Sequence, residues 1–135
     1  MTTRQPRIPG PDHPITIEKA GVRVLARVGT HVVADTTRAL TLREASYPAV
    51  QYIPLDDVDQ TLLAASETQT YCPYKGDASY YTITFPGGTL PEGTLPEGGL
   101  PDAVWTYREP YDSVAPIANH VAFYTDRVEV VTEPE

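Results

Sequence analysis

A single cysteine, Cys72, stands in the 135 residues. No internal disulfide can therefore staple the fold, and a chain that leaves its one thiol free fits a reducing cytoplasm better than an oxidising compartment. Lysine is nearly as scarce, with only Lys19 and Lys75, and the ten basic residues are scattered among eighteen acidic ones. At a net charge of −8 and a pI near 4.7, the chain lacks the clustered cations that a phosphate backbone requires, which excludes a nucleic-acid partner. Long apolar runs are missing too: no 18 apolar residues are consecutive, and Met1 to Pro6 has no hydrophobic stretch of the signal-peptide kind. Neither a membrane span nor a classical export signal is expected.

What is present is short alternating segments separated by turn formers, in a chain of a length that suits one domain. Residues 1–14, rich in Pro and polar side chains, are expected to lie along the surface as an extended arm, and residues 15–135 to form a single β domain. Ile15 to Ile17 can pair with a sheet edge. Val22 to Val28 and His31 to Asp35 have the spacing of a β-hairpin around Gly29 and Thr30, and Ala39 to Glu44 and Val50 to Ile53 extend a meander. One short amphipathic helix is predicted near residues 56–65, with Val58, Leu62, Leu63 and Ala65 on its apolar face and Asp56 or Asp57 as cap.

Tyr80 to Phe85 should be an interior strand. The segment 87–102 is a slipped pentapeptide repeat, G-T-L-P-E, G-T-L-P-E, G-G-L-P-D, whose prolines exclude helix and central strand. It reads as a mobile loop lengthened by duplication, away from function. Ala103 to Tyr107 returns as a strand, and His120 to Tyr124 with Arg127 to Val131 should make a last hairpin. The sum is a mainly β fold of small, bent antiparallel sheets closed on one side by the helix. Its exposed strand edges leave monomer and homodimer open.

The stretch Tyr71-Cys72-Pro73-Tyr74-Lys75-Gly76-Asp77-Ala78-Ser79-Tyr80-Tyr81 gathers four of the nine tyrosines, the cysteine and one of the two lysines around a Pro and a Gly. It reads as a tight turn that feeds a strand and aims its side chains in fixed directions. Taken singly, Cys72 is an ordinary small buried hydrophobe, Lys75 a solvated charge, His120 a structural residue, and the tyrosines sheet core. Taken together they suggest a site. No metal is expected, because Cys72 with the dispersed His13, His31 and His120 cannot supply four zinc ligands, and Asp57-Val58-Asp59 is explained by helix capping. No cofactor is implied.

The chain from Val22 to Val131 resembles the bacterial domain-of-unknown-function family 427. The resemblance rests on V-R-V followed by V-A-D, on Y-I-P-L-D-D-V at Tyr52 to Val58, on T-Y-C-P-Y-K-G-D-A-S-Y-Y at Thr70 to Tyr81, on W-T-Y at Trp105 to Tyr107 and on H-V-A-F-Y-T-D-R-V-E-V at His120 to Val130. It implies a compact fold similar to β-tent domains. Because such domains carry paired Cys-x-x-Cys zinc knuckles, it also implies that an ammonium here replaces a ligand and that hydrogen bonds hold the loop. A nucleotidyltransferase label is attached to the family. Its ligase type requires Lys followed two residues on by Asp-Gly, where this chain has Lys75-Gly76-Asp77. Its polymerase type requires an Asp-x-Asp pair on a strand after a Gly-Ser turn, and no glycine-rich phosphate cradle precedes a helix.

Two functions remain open at this stage. One is a small-molecule binding module with an aromatic-lined pocket beside the Cys72 to Asp77 loop, built from Tyr52, Tyr74, Lys75, Asp77, Tyr80, Trp105, Tyr107 and Tyr124. There Lys75, with Arg108 or Arg127, would fix an anionic or carbonyl group. The other is an enzyme using Cys72 or Lys75, in which the nearby ammonium activates the thiol.

Overall fold

Period-two alternation puts one face of each segment on a core, and that pattern makes most of this chain β-strand. The computed structural model describes residues 7–29, 31–85, 89–90, 93–94 and 99–133. Within them the strands are Ile15–Lys19 (β1), Arg23–Val28 (β2), His31–Thr36 (β3), Leu40–Glu44 (β4), Val50–Pro54 (β5), Leu63–Cys72 (β6), Gly76–Ile83 (β7), Thr89–Leu90 (β8), Gly93–Thr94 (β9), Leu100–Tyr107 (β10), His120–Phe123 (β11) and Glu129–Glu133 (β12). Seven form one antiparallel sheet in the order β1-β4-β5-β11-β10-β7-β6, three form a second in the order β12-β2-β3, and β8 pairs with β9. No helix among the described residues is long and apolar enough to cross a membrane.

The two larger sheets enclose an aliphatic core. Val24, Ala26 and Val28 of β2 and Val33 and Ala34 of β3 meet Ile53, Ile83, Val104, Val121 and Phe123 from the seven-stranded sheet. The neighbouring residues on the same strands, Tyr52, Tyr80, Trp105, Tyr107 and Ala122, point to the opposite face. There Val114 and Ile117 cover part of a second cluster and Leu42 and Cys72 join it. The covering residues come from the 3-10 segment Asp112–Ile117.

The meander expected up to Ile53 is interrupted. β1 pairs directly with β4, Ile15 opposite Glu44, while the β2–β3 hairpin leaves for the other sheet. A hydrogen bond from Ala20 N–H to Ala39 O at 2.9 Å closes the excursion. The helix expected near 56–65 is replaced by two 3-10 turns, Leu55–Asp57 and Gln60–Leu62, after which β6 begins at Leu63. The apolar positions behind that expectation are real, since Val58 and Leu62 are buried. Their partner is β3, however: Asp59 N–H bonds to Val33 O at 2.8 Å and Val58 bridges Ala34, which ties the segment extended.

The last hairpin also resolves differently. β11 pairs with β10 and β5, whereas β12 pairs with β2 in the other sheet. Val128 N–H bonds to Tyr124 O at 2.9 Å, and Val128 itself is fully buried. The turn is thus anchored between the sheets and hands the chain from one to the other.

In the repeat 87–102 the expectation that proline excludes a central strand fails at the last unit: β10 starts at Leu100 and includes Pro101, which falls in the register shift between Leu100 and Val104, where a missing N–H breaks no regular ladder. The mobility expected of that repeat concerns residues that lie largely outside the described ones. Of the arm expected over 1–14, residues 7–14 run beside the domain: Arg7 N–H bonds to Pro73 O and Ala45 N–H to Pro14 O, each at 2.8 Å.

Candidate functional site

β6 and β7 form a hairpin whose tip is Pro73-Tyr74-Lys75, with Cys72 opposite Gly76. Lys75 N–H bonds to Cys72 O at 3.2 Å, and Lys75 O accepts from Tyr111 N–H at 3.0 Å. Gly76 closes the turn with φ +111°, a conformation that residues with a side chain adopt only under strain, so glycine is favoured there. This backbone turns the Lys75 side chain inward, where it is 9% exposed. Its ammonium pairs with the Glu44 carboxylate at the end of β4.

Glu44 has a second partner. His13 Nε2 donates to its other oxygen at 2.7 Å, and the His13 ring stacks on Tyr74 with centroids 4.0 Å apart and planes 7° from parallel. Burial pushes the Glu44 carboxyl up, but the hydrogen bonds from Lys75 and His13 outweigh it and hold the group below the ordinary carboxylate value. Glu44 is therefore an ionised acceptor at neutral pH.

The pair opens into a hollow of about 240 Å3. Tyr52 from β5, Tyr80 from β7 and Trp105 and Tyr107 from β10 wall it, with Tyr124 just beyond β11. Register brings these rings together, since Trp105 lies directly opposite Tyr80. Trp105 Nε1–H donates to the Tyr52 hydroxyl at 3.2 Å, and their rings meet edge to face. Trp105 also leans on Tyr124, centroids 4.6 Å apart and planes at 49°. The Lys75 ammonium sits 5.9 Å from the Tyr107 ring centre. Tyr80 shares a hydrogen bond with Thr70 at 2.8 Å. Burial, the largest cause in each case, raises the phenols of Tyr52 and Tyr107 far above their ordinary value and pushes Tyr124 up to about 12. All three remain protonated, and so able to donate, across the physiological range.

Of the eight residues that the sequence suggested for a binding pocket, Tyr52, Lys75, Tyr80, Trp105, Tyr107 and Tyr124 line this hollow together. Two lie elsewhere. Tyr74 is on the outer side of the turn against His13, and Asp77 lines a separate polar cleft with Arg108 and Tyr111, because Asp77 and Ser79 have the opposite parity on β7 from Ala78 and Tyr80. Cys72 is a free thiol packed against the aromatic cluster and is not in the wall of the hollow. The ammonium expected to activate it is engaged by Glu44 instead. Nor do the arginines reach in. Arg108 bonds to the Tyr81 hydroxyl at 3.4 Å, and Arg127 donates to the carbonyls of Pro101 and Asp102.

Glu44, His13, Leu42 and Val50 are the neighbours that the sequence did not flag. For Glu44 a signal existed: it shares its strand face with Leu40 and Leu42, so it is a carboxylate on an apolar stripe. His13 carried none. Among the described residues no three His, Cys, Asp or Glu side chains are grouped to hold a metal ion. The Asp57-x-Asp59 pair is engaged structurally. Asp57 accepts from Thr36 at 2.6 Å and from Arg38, and Asp59 caps the following turn through Thr61 N–H at 3.1 Å.

The family model described as a domain of unknown function, DUF427, matches residues 16–134. No curated protein matches the sequence.

Proposed function

The chain belongs to the DUF427 family, whose description names no reaction, and we propose that it is a binding module for a small organic molecule held between the Lys75–Glu44 pair and the tyrosine and tryptophan wall. One observation carries this reading: an ion pair that is nearly buried opens into a hollow instead of being enclosed by packed side chains. Charges withdrawn from water are costly to keep, and replacing a buried pair by apolar residues is often stabilising. Retaining the pair beside an aromatic-lined hollow therefore has a ready use in recognition.

At about 240 Å3 the hollow falls below the roughly 300 to 1,000 Å3 of sites for drug-sized ligands, which favours a compact metabolite. Lys75 and the phenols would donate, Glu44 would accept, and the rings would supply flat apolar faces. The unpaired thiol agrees with work in a reducing cytoplasm. The alternative of an enzyme has less support. Cys72 is outside the hollow and its expected activator is paired elsewhere, and the Asp57-x-Asp59 carboxylates accept hydrogen bonds from Thr36, Arg38 and Thr61 and are not in the lining of the hollow.

The test is a metabolite library read by thermal shift on the whole chain, where a ligand at 100 times its dissociation constant raises stability by about 2.7 kcal/mol. Hits should lose their effect in the Lys75→Met/Glu44→Gln double variant, which removes both charges at once. A library without hits, or hits that act equally on that variant, would overturn the reading.

A further inference from the structure

A second hollow adjoins the first. It is an open groove of about 440 Å3 that shares Val50, Trp105 and Tyr124 with the Lys75 chamber. Tyr47, Pro48 and Ala49 in the β4–β5 connection form one side of it, and Phe123, Thr125, Val130 and Thr132 contribute from β11, β12 and the turn between them. Tyr47 is 65% exposed and Tyr124 37%, and both rank among the few large apolar side chains that the fold leaves in water. Two such side chains on one groove mark a surface shaped for contact.

The two hollows differ in chemistry and meet at a pair of rings. The inner one ends in a donor, the Lys75 ammonium, beside an acceptor, the Glu44 carboxylate. The outer one is apolar. Trp105 and Tyr124 stand between them and belong to both. Resting on the binding-module reading above, we propose that the two hollows are one bipartite site for an uncharged, flat molecule, with an amide or lactam edge set against Lys75 and Glu44 and an apolar ring or chain lying on Trp105, Tyr124 and the Tyr47 to Ala49 segment.

The charge balance of the inner end selects for neutrality. A ligand carboxylate drawn to Lys75 must also approach ionised Glu44, and a ligand cation drawn to Glu44 must approach Lys75. Because Lys75 and Glu44 are themselves largely withdrawn from water, both are repelled. A lactam offers the complementary pair on adjacent atoms: its carbonyl accepts from the ammonium and its N–H donates to the carboxylate, so neither protein group loses its charge balance. Flatness follows from the ring walls, which present faces for offset stacking. The overall charge of −8 further disfavours anions.

Three probes separate the parts: 2-pyridone, which is the lactam head alone; 2-quinolone, the same head fused to a second ring; and 2-naphthoate, an anion of similar size. The only tryptophan of the chain is Trp105, so the single indole N–H cross-peak in a nitrogen–proton correlation spectrum reports on both hollows. The expected result is that 2-quinolone binds at least tenfold more tightly than either 2-pyridone or 2-naphthoate. Ala49→Arg, at an exposed position that lines only the groove, should erase the advantage of 2-quinolone and leave 2-pyridone unchanged. Equal binding of 2-quinolone and 2-pyridone, preference for 2-naphthoate, or indifference of 2-quinolone to Ala49→Arg would overturn the bipartite site. If the metabolite library still yields ligands that depend on Lys75 and Glu44, the inner binding site survives that outcome. If neither library nor probes bind, both readings fall.

Discussion

The seven-stranded sheet packs against the second sheet on one face and is only partly covered on the other by the 3-10 segment Asp112–Ile117, and the two faces are built on different terms. Toward β2, β3 and β12 it presents Ile53, Ile83, Val104 and Val121, aliphatic side chains that fill space and have no polar atoms to satisfy. At positions of opposite parity on the same strands, Tyr52, Tyr80 and Trp105 face the other way and meet a lysine and a glutamate. Backbone, strand and register are common to both, so the difference lies in side-chain choice alone. Aliphatic packing holds the sheets together; the aromatic side keeps a hollow, hydroxyl donors and an ion pair, none of which close packing requires.

The strongest way to break the comparison is from the aliphatic side. Ile83→Ala, at a fully buried position, should lower stability by about 2 to 5 kcal/mol in denaturant titration while any ligand-induced shift persists. A loss under about 1 kcal/mol would mean that the aliphatic face is not where stability resides.

Next in size is Lys75→Met, which strands Glu44 without its cation. Because Glu44 is 15% exposed and keeps His13, a loss of about 2 to 3 kcal/mol is expected, below the 3 to 5 of fully enclosed pairs. Adding Glu44→Gln should recover much of it. A double variant whose loss equals the sum of the losses of Lys75→Met and Glu44→Gln would show that the two groups are uncoupled.

Acidity sharpens the contrast further. The Glu44 carboxyl is held below its ordinary value in the folded state, so its contribution is fully present above the unfolded carboxylate value near about 4.3 and is lost as pH falls through the lower folded value. Unfolding followed from pH 6 down to pH 3 should show a shallower acid decline in Glu44→Gln than in the natural chain, whereas Ile83→Ala should run parallel to it. The smallest effect is that of Tyr52→Phe, which removes the acceptor of the Trp105 N–H bond. It should cost about 1 kcal/mol and move the indole cross-peak, and an unmoved peak would place the bond elsewhere.

Much of this was legible in the chain. Pro73 and Gly76 announced the turn, and Gly76 does take a positive φ. The pocket aromatics were visible as large rings within alternating strands, because register turns shared parity into shared space. What escaped were relations that no local pattern encodes. β6 is an edge strand with mostly exposed residues, so it shows no period-two signal, and the apolar residues ahead of it mimicked a helical stripe. β11 and β12 each looked like strands, but alternation names no partner, and they joined different sheets. Tyr74 and Asp77 were grouped with Lys75 by proximity in sequence, although a tight turn sends neighbours in different directions. His13 reaches Glu44 across 31 residues from a proline-rich arm with no periodicity to read.

That arm has a practical consequence for anyone who trims the protein. The family match starts at residue 16, one residue into β1, and a chain cut there would retain nearly every strand. It would nevertheless lose the imidazole that shares Glu44 with Lys75, the ring stacked on Tyr74, and the backbone bond from Arg7 that rests on Pro73 at the hairpin tip. The outer support of the Lys75 chamber would go with them, so a cut that respects the boundary of the shared domain would open the chamber from behind. Binding measured on such a fragment would describe a different chamber from the one the whole chain builds.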